Sequence, residues 1–343
     1  MKSRKPVTKS KFIPHIIVIG TSAGGLTSLT KLVSQLPEDF PAPILVVQHI
    51  SPDATGDVLL DALNKAGKLK CEHASDKGII KPGHLYLAPS GHHLMIDKNH
   101  AMLVTKGAAE NRSRPGIDPL FRSAAVAFRN KVIGIILSGY LDDGVAGLEV
   151  IKKCGGVCIV QDPEDAEYPD MPKNALNHVQ VDHCLAISEM GGLLYQLISR
   201  KLGRLKPIPN DIQIEAKIAQ RVLSDLPSVN ALGDQVPFNC PGCGGVLWKI
   251  NDSSPIRYRC HTGHAYTESS LLAEQTMKIE ETMWIALRMF EERKNLLNTM
   301  ASGLGDAAAK SALERAALSQ VHIDRIKAIL KSNDKATSQD VPV

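Results

Sequence analysis

A serine in a glycine-rich turn is the first residue of this chain that could do chemistry. Gly20-Thr21-Ser22-Ala23-Gly24-Gly25 fits G-x-S-x-G, a sharp strand-to-helix turn that lifts a hydroxyl above a sheet. Small neighbours let backbone and substrate approach closely, and N–H groups at the helix start could receive a developing oxyanion. A hydroxyl is a poor nucleophile without a base. His49 follows the apolar run Pro43–Gln48, and Asp142 and Asp143 follow Val132–Leu137. Residues just past the ends of adjacent parallel strands share one edge of a sheet, so Ser22, His49 and an aspartate there have the placement a triad needs. Spacing does not choose between Asp142 and Asp143, since one of two adjacent carboxylates often caps the next helix. The order Ser, His, Asp is not that of the α/β-hydrolases. A dinucleotide site would want glycine in place of Ser22 and an acid after the second strand. His92, His93 and Arg122 are further polar candidates for the rim; His93 is expected to pack and Arg122 to support a loop.

A second set of residues could hold a metal. Cys240-Pro241-Gly242-Cys243 is a C-x-x-C turn, and Cys260 and His264 follow after a short hairpin pattern. Three thiolates and an imidazole suit tetrahedral Zn²⁺, and four protein ligands would make the site structural. His261, adjacent to Cys260, would point away. The remaining cysteines, Cys71, Cys154, Cys158 and Cys184, lie in strand-like or helix-like apolar contexts and read as buried free thiols.

The elements that must position these groups are legible. Short Ile/Val-rich runs alternate with helical patterns through residues 15–200, which is the signature of βαβ units. The expected fold is α/β: a doubly wound, mostly parallel sheet in three α/β/α layers, followed by a small zinc ribbon and a helical tail. Residues 84–104 read as antiparallel edge strands. The expected divisions are a basic disordered N-terminus (1–13), a catalytic domain (14–202), a linker with a helix (203–236), the ribbon (237–266), a helical hairpin (267–331) opened by a Thr267 cap, and a disordered tail (332–343).

Taken together, these segments resemble the catalytic domain of the chemotaxis protein-glutamate methylesterases, the CheB family. The matching pieces are residues 17–25, Val47-Gln48-His49, residues 85–89, Ile117-Asp118-Pro119 through Ala125, residues 137–147, Gln161-Asp162-Pro163 and Met171-Pro172. The resemblance implies that Ser22 is the nucleophile, His49 its base and Asp143, rather than Asp142, the residue that orients the base. It implies oxyanion donors at the backbone N–H groups of Ala23 and Tyr140. Tyr140-Leu141 stands where the family usually shows Met-Gly, which bears on the substrate pocket. Only about a dozen residues precede the first strand, so no phospho-receiver domain is expected ahead of it.

The implied activity is hydrolysis of glutamate γ-methyl esters on chemoreceptor-like helical proteins, with glutamine deamidation by the same acyl chemistry and no catalytic cofactor. The alternatives are a catalytically silent signalling adaptor and an esterase acting on another protein or a small ester. The C-terminal helices could meet a helical signalling partner or self-associate. Forty Lys and Arg against 36 Asp and Glu leave a net charge of only +4, too little to argue for nucleic acid. No apolar run approaches the ~18 residues of a membrane span, so no membrane insertion and a cytoplasmic location are expected.

Overall fold

The computed structural model describes residues 15–51, 53–220, 225–251 and 253–331. Both segments expected to be disordered, 1–13 and 332–343, lie outside them. The chain forms two compact units, one ending at Ser270 and one beginning at Leu271.

The first unit begins with β1 (Ile16–Thr21), α1 (Gly25–Val33), β2 (Ile44–Gln48), α2 (Asp57–Ala66), β3 (Lys70–His73) and β4 (His84–Leu87). After a β5–β6 hairpin (His93–Ile96, Met102–Thr105) come α3 (Ile117–Phe128), β7 (Val132–Ile136), α4 (Val145–Lys153), β8 (Val157–Gln161), α5 (Asp170–His178), β9 (His183–Leu185) and α6 (Ile187–Ile198). Seven strands make one parallel sheet in the order β3-β4-β2-β1-β7-β8-β9. Successive residues of β1 feed opposite layers. Ile16 and Val18 pack with α3, α4 and α5, while Ile17 and Ile19 pack with α1, α2 and α6. That two-sided burial explains why the strands read as unbroken apolar runs. The chain leaves β1 toward β2 and later returns to its other side at β7, so a topological switch point lies beside β1. Clefts form there, beyond the strands' carboxyl ends.

The edge strands differ from expectation. β4 pairs in parallel with both β2 and β3, and of the three strands in this stretch β5 and β6 alone are antiparallel, in a two-stranded sheet of their own. Leu85 and Leu87 face one layer and Tyr86 the other, so β4 needs the sheet's interior.

Beyond the sheet lie α7 (Asn210–Gln220), α8 (Leu226–Asn230), and β10 (Gly233–Asn239), β11 (Val246–Ile250), β12 (Arg257–Cys260) and β13 (Ala265–Thr267), which form a four-stranded antiparallel sheet. α9 (Glu268–Ala301) starts at the end of β13. Thr267 caps it as expected, its hydroxyl accepting the Ser270 N–H at 3.2 Å. In the second unit α9 is antiparallel to α10 (Asp306–Lys331), with Leu297 packed on Ala312 and Ala316, and Lys327 paired with Glu291. Among the described residues no helix is long and apolar enough to cross a membrane.

Candidate active site

Three strand ends converge at the switch point. The Ser22 N–H donates to Ser138 O at 3.0 Å, which ties the turn after β1 to the loop after β7. The His49 N–H donates to Thr21 O at 3.0 Å, which ties the end of β2 to the same turn. Gln48 Nε2 donates to Ser22 O at 2.6 Å and to His49 O at 2.9 Å. Gly24 has φ +74°, and a Cβ there would stand 2.6 Å from Ser138 Oγ, so glycine is required on both conformational and steric grounds. Ser22 and His49 line one cleft of about 900 Å³, together with Gly24, Gly25, Leu26, Ile50, Val58 and Glu167.

Geometry separates the two aspartates. Asp143 Oδ2 lies 2.8 Å from His49 Nε2 and accepts the Ile117 N–H at 2.7 Å. Its Oδ1 accepts Asn111 Nδ2 at 2.9 Å and the Asp118 N–H at 3.3 Å. Burial pushes this carboxyl up, but the donors from His49, Ile117 and Asn111 outweigh it and hold Asp143 below the ordinary range. Asp142 points elsewhere, accepting the Thr267 hydroxyl at 3.0 Å and the Ser269 hydroxyl at 2.5 Å. Burial raises it above its ordinary value.

With Nε2 engaged by Asp143, His49 has Nδ1 left for the cleft. The Ser22 hydroxyl makes no hydrogen bond among the described residues. Such contacts are often long before substrate binds. Ala23 follows Ser22 in the turn. Tyr140 lies in the loop after β7, exposed, with its ring edge-on to Tyr168 at 4.7 Å. That loop is anchored by Gly139 N–H to Tyr168 O at 2.9 Å and Met171 N–H to Gly139 O at 3.0 Å.

Residues 17–194 match the sequence profile of the CheB methylesterases, which is more than half of the chain. This protein belongs to the CheB methylesterase family. A Leptospira interrogans protein whose name gives protein-glutamate methylesterase/protein-glutamine glutaminase as a provisional assignment is 39% identical over 186 residues, 54% of this chain and 96% of that one. A Maricaulis maris protein-glutamate methylesterase/protein-glutamine glutaminase is 35% identical over 181 residues, 52% of this chain and 45% of the relative. This chain therefore spans nearly all of the first relative and about half of the second. The crystal structure of the Thermotoga maritima CheB methylesterase catalytic domain aligns with a TM-score of 0.52 at 34% identity, covering 54% of this chain and all of that one.

Residues behind the His49–Asp143 pair were harder to foresee. Asn111 and Asp118 both contact Asp143, and no periodicity marked them. Asp118 is raised to about 7, first by burial and then by the Asp143 carboxylate. Arg122 is fully buried, away from the rim, and donates to both Glu110 oxygens at 2.9 and 2.7 Å. It belongs to a buried cluster with Glu215 of α7 and Arg257 and Arg259 of β12. His93 is packed, with Nδ1 accepting the Gly116 N–H and Nε2 2.9 Å from Ala108 O.

The ribbon gathers the expected donors. The ligand atoms of Cys240, Cys243, Cys260 and His264 all lie within 4.8 Å of one another, an arrangement that could hold a metal ion; His261 is not among them. Tight turns bring them there: Gly244 N–H returns to Cys240 O at 2.7 Å and Gly263 N–H to Cys260 O at 3.0 Å. The Cys240 thiol is lowered to about 7, chiefly by its hydrogen bond with Cys260.

Proposed function

We propose that this chain is a serine hydrolase that removes methyl groups from glutamate γ-methyl esters on chemoreceptor-like helical proteins. The observation that carries the proposal is the 2.8 Å bond from His49 Nε2 to the buried Asp143, at the rim of the cleft that Ser22 lines. His49 Nδ1 takes the Ser22 proton as Oγ attacks the ester carbonyl. The tetrahedral oxyanion is received by the N–H groups of Ala23 and Tyr140. Collapse breaks the bond to the methoxy group, which leaves as methanol with the proton from His49. Water then repeats the sequence on the acyl-enzyme, giving glutamate and restoring Ser22. Asp143 holds the imidazole and balances its charge throughout. With a glutamine side chain the same steps release ammonia. None of these steps needs a cofactor.

Cys240, Cys243, Cys260 and His264 would hold a structural Zn²⁺. Tetrahedral Zn–S bonds of about 2.3 Å place two sulfurs about 3.8 Å apart, and a sulfur and a nitrogen about 3.6 Å apart. The corresponding separations are 3.7 Å for Cys243 to Cys260 and 3.5 Å for Cys260 to His264 Nδ1. Bound there, the ion would close the ribbon without entering the reaction.

The test is hydrolysis of a methylated chemoreceptor cytoplasmic fragment by the purified chain, with methanol and ammonia measured separately. Methanol release that Ser22→Ala abolishes is expected. Release of neither product, while Ser22 still reacts with a fluorophosphonate probe, would assign the machinery to another ester.

A further inference from the structure

Asp143 is held by more than the domain that carries it. Asn111 stands between the acid and the ribbon. Its Nδ2 donates to Asp143 Oδ1 and to Asp118 Oδ2, both at 2.9 Å. Its Oδ1 accepts the Thr267 N–H at 3.1 Å and the Ser270 hydroxyl at 3.3 Å. An amide has a donor end and an acceptor end; a backbone N–H can only donate and an ionised carboxylate can only accept. The Thr267 N–H therefore decides which end of Asn111 turns toward Asp143. Reversed, the amide would set its oxygen against the ionised Asp143 carboxylate. The backbone reinforces this link, since Asn111 N–H donates to Ala265 O at 2.8 Å and Ala265 N–H to Ala109 O at 3.4 Å, extending β13 onto the 109–111 segment. The same corner holds Asp142 through the Thr267 and Ser269 hydroxyls.

We propose that Asn111 is a positioning residue for Asp143, and that the corner closing the ribbon, Thr267–Ser270, sets its orientation. The ribbon is then a working part of the esterase site. This rests on Asp143 being the acid of the triad. Asn111 lies between the segments that first pointed to the chemistry, and the corner lies beyond the 17–194 match.

Asn111→Leu keeps the approximate size of the side chain and removes both donor and acceptor. It is expected to lower kcat about 10- to 100-fold, the loss of one hydrogen bond to a charged group, with KM unchanged. It should also move the acid limb of Ser22 labelling by a fluorophosphonate to higher pH. Asp143 stripped of a donor keeps more charge against the His49 imidazolium. Asn111→Asp, which adds a negative charge in the same shape, should move the limb further, and it stands in if Asn111→Leu does not fold. The other titratable groups facing Asp143 are Asp118 from α3, Asp142 beside it and His93 from β5, with Arg122 behind Asp118. All are present in wild type and variants, so only the difference between profiles is read. A limb that stays in place, or a loss confined to KM, in variants that melt like wild type would overturn the proposal.

The ribbon's part is read from a double-mutant cycle. Cys243→Ser should lower kcat in the wild-type background but little further in Asn111→Leu, because both act through one path. Losses that multiply would overturn the ribbon's part. If wild type neither labels nor hydrolyses ester, the esterase reading fails and this inference with it. If wild type labels at Ser22 and the Asn111 variants match it, only this inference fails.

Discussion

Glu215→Gln should destabilise the first unit by about 3–5 kcal/mol, the usual cost of removing one partner from a buried ion pair. Glu215 receives Arg257 at both oxygens and Arg259 at 3.0 Å, and it pairs with Arg122 at 3.2 Å. Its side chain is 4% exposed, and those of Arg122 and Arg259 are 0% and 1%. Three guanidiniums share two carboxylates, so neutralising Glu215 leaves three buried positive charges to Glu110. Arg122→Met leaves two against two and should cost less, although it removes more hydrogen-bonding atoms. The assay is equilibrium urea unfolding followed by the fluorescence of Trp248, buried in the first unit, in a Trp284→Phe background so that only that unit reports. Burial pushes both glutamates up, but the arginines prevail and hold both below the ordinary range. The cluster's contribution is therefore present above the unfolded carboxylate pKa of about 4.3 and is lost as pH falls through the lower folded values. The gap between wild type and Glu215→Gln should close in acid. A loss below about 1 kcal/mol at pH 7, or Arg122→Met proving the costlier change, would refute the charge count.

Gly24→Ala should lower both stability and ester hydrolysis, because φ +74° costs a Cβ-bearing residue about 1–2 kcal/mol and the new methyl displaces Ser138, whose carbonyl holds the Ser22 N–H; thermal melts and turnover check both. Asp118 is raised to about 7 in the folded chain from 3.8, so the native state holds the extra proton between those values and stability falls as pH rises through them. Asp118→Asn should therefore gain on wild type in urea midpoint from pH 4 to pH 7. Elemental analysis of the purified chain should find one zinc per chain, and Cys243→Ser should lose it together with thermal stability of the first unit.

Ser22 and His49 were legible because each ends a fully buried Ile/Val run, β1 and β2, and such runs name parallel strands. Spacing left Asp142 and Asp143 undivided and only the family resemblance chose Asp143, because the two are neighbours and it is the ribbon corner, more than a hundred residues away, that draws Asp142 aside. Asn111 lies in a polar turn with no pattern, and its partner Thr267 is 156 residues distant. The edge strands β3 and β9 escaped because Lys70–His73 and His183–Leu185 lack an apolar run. β4 read as antiparallel because it adjoins a true hairpin. The Cys-x-x-C, Cys and His set was legible since close sequence spacing makes knuckles, whereas β10, which straddles the expected boundary between linker and ribbon, is exposed along most of its length.

The most direct measurement is methanol release from a methylated receptor fragment by wild type, Ser22→Ala, Asp143→Asn and Asp142→Asn. The account predicts loss in Ser22→Ala and a fall of roughly 10³–10⁴ in Asp143→Asn, as expected when the base loses the partner that fixes its tautomer. Asp142→Asn should fall far less. Release surviving in Ser22→Ala, or Asp142→Asn proving the more damaging change, would contradict it.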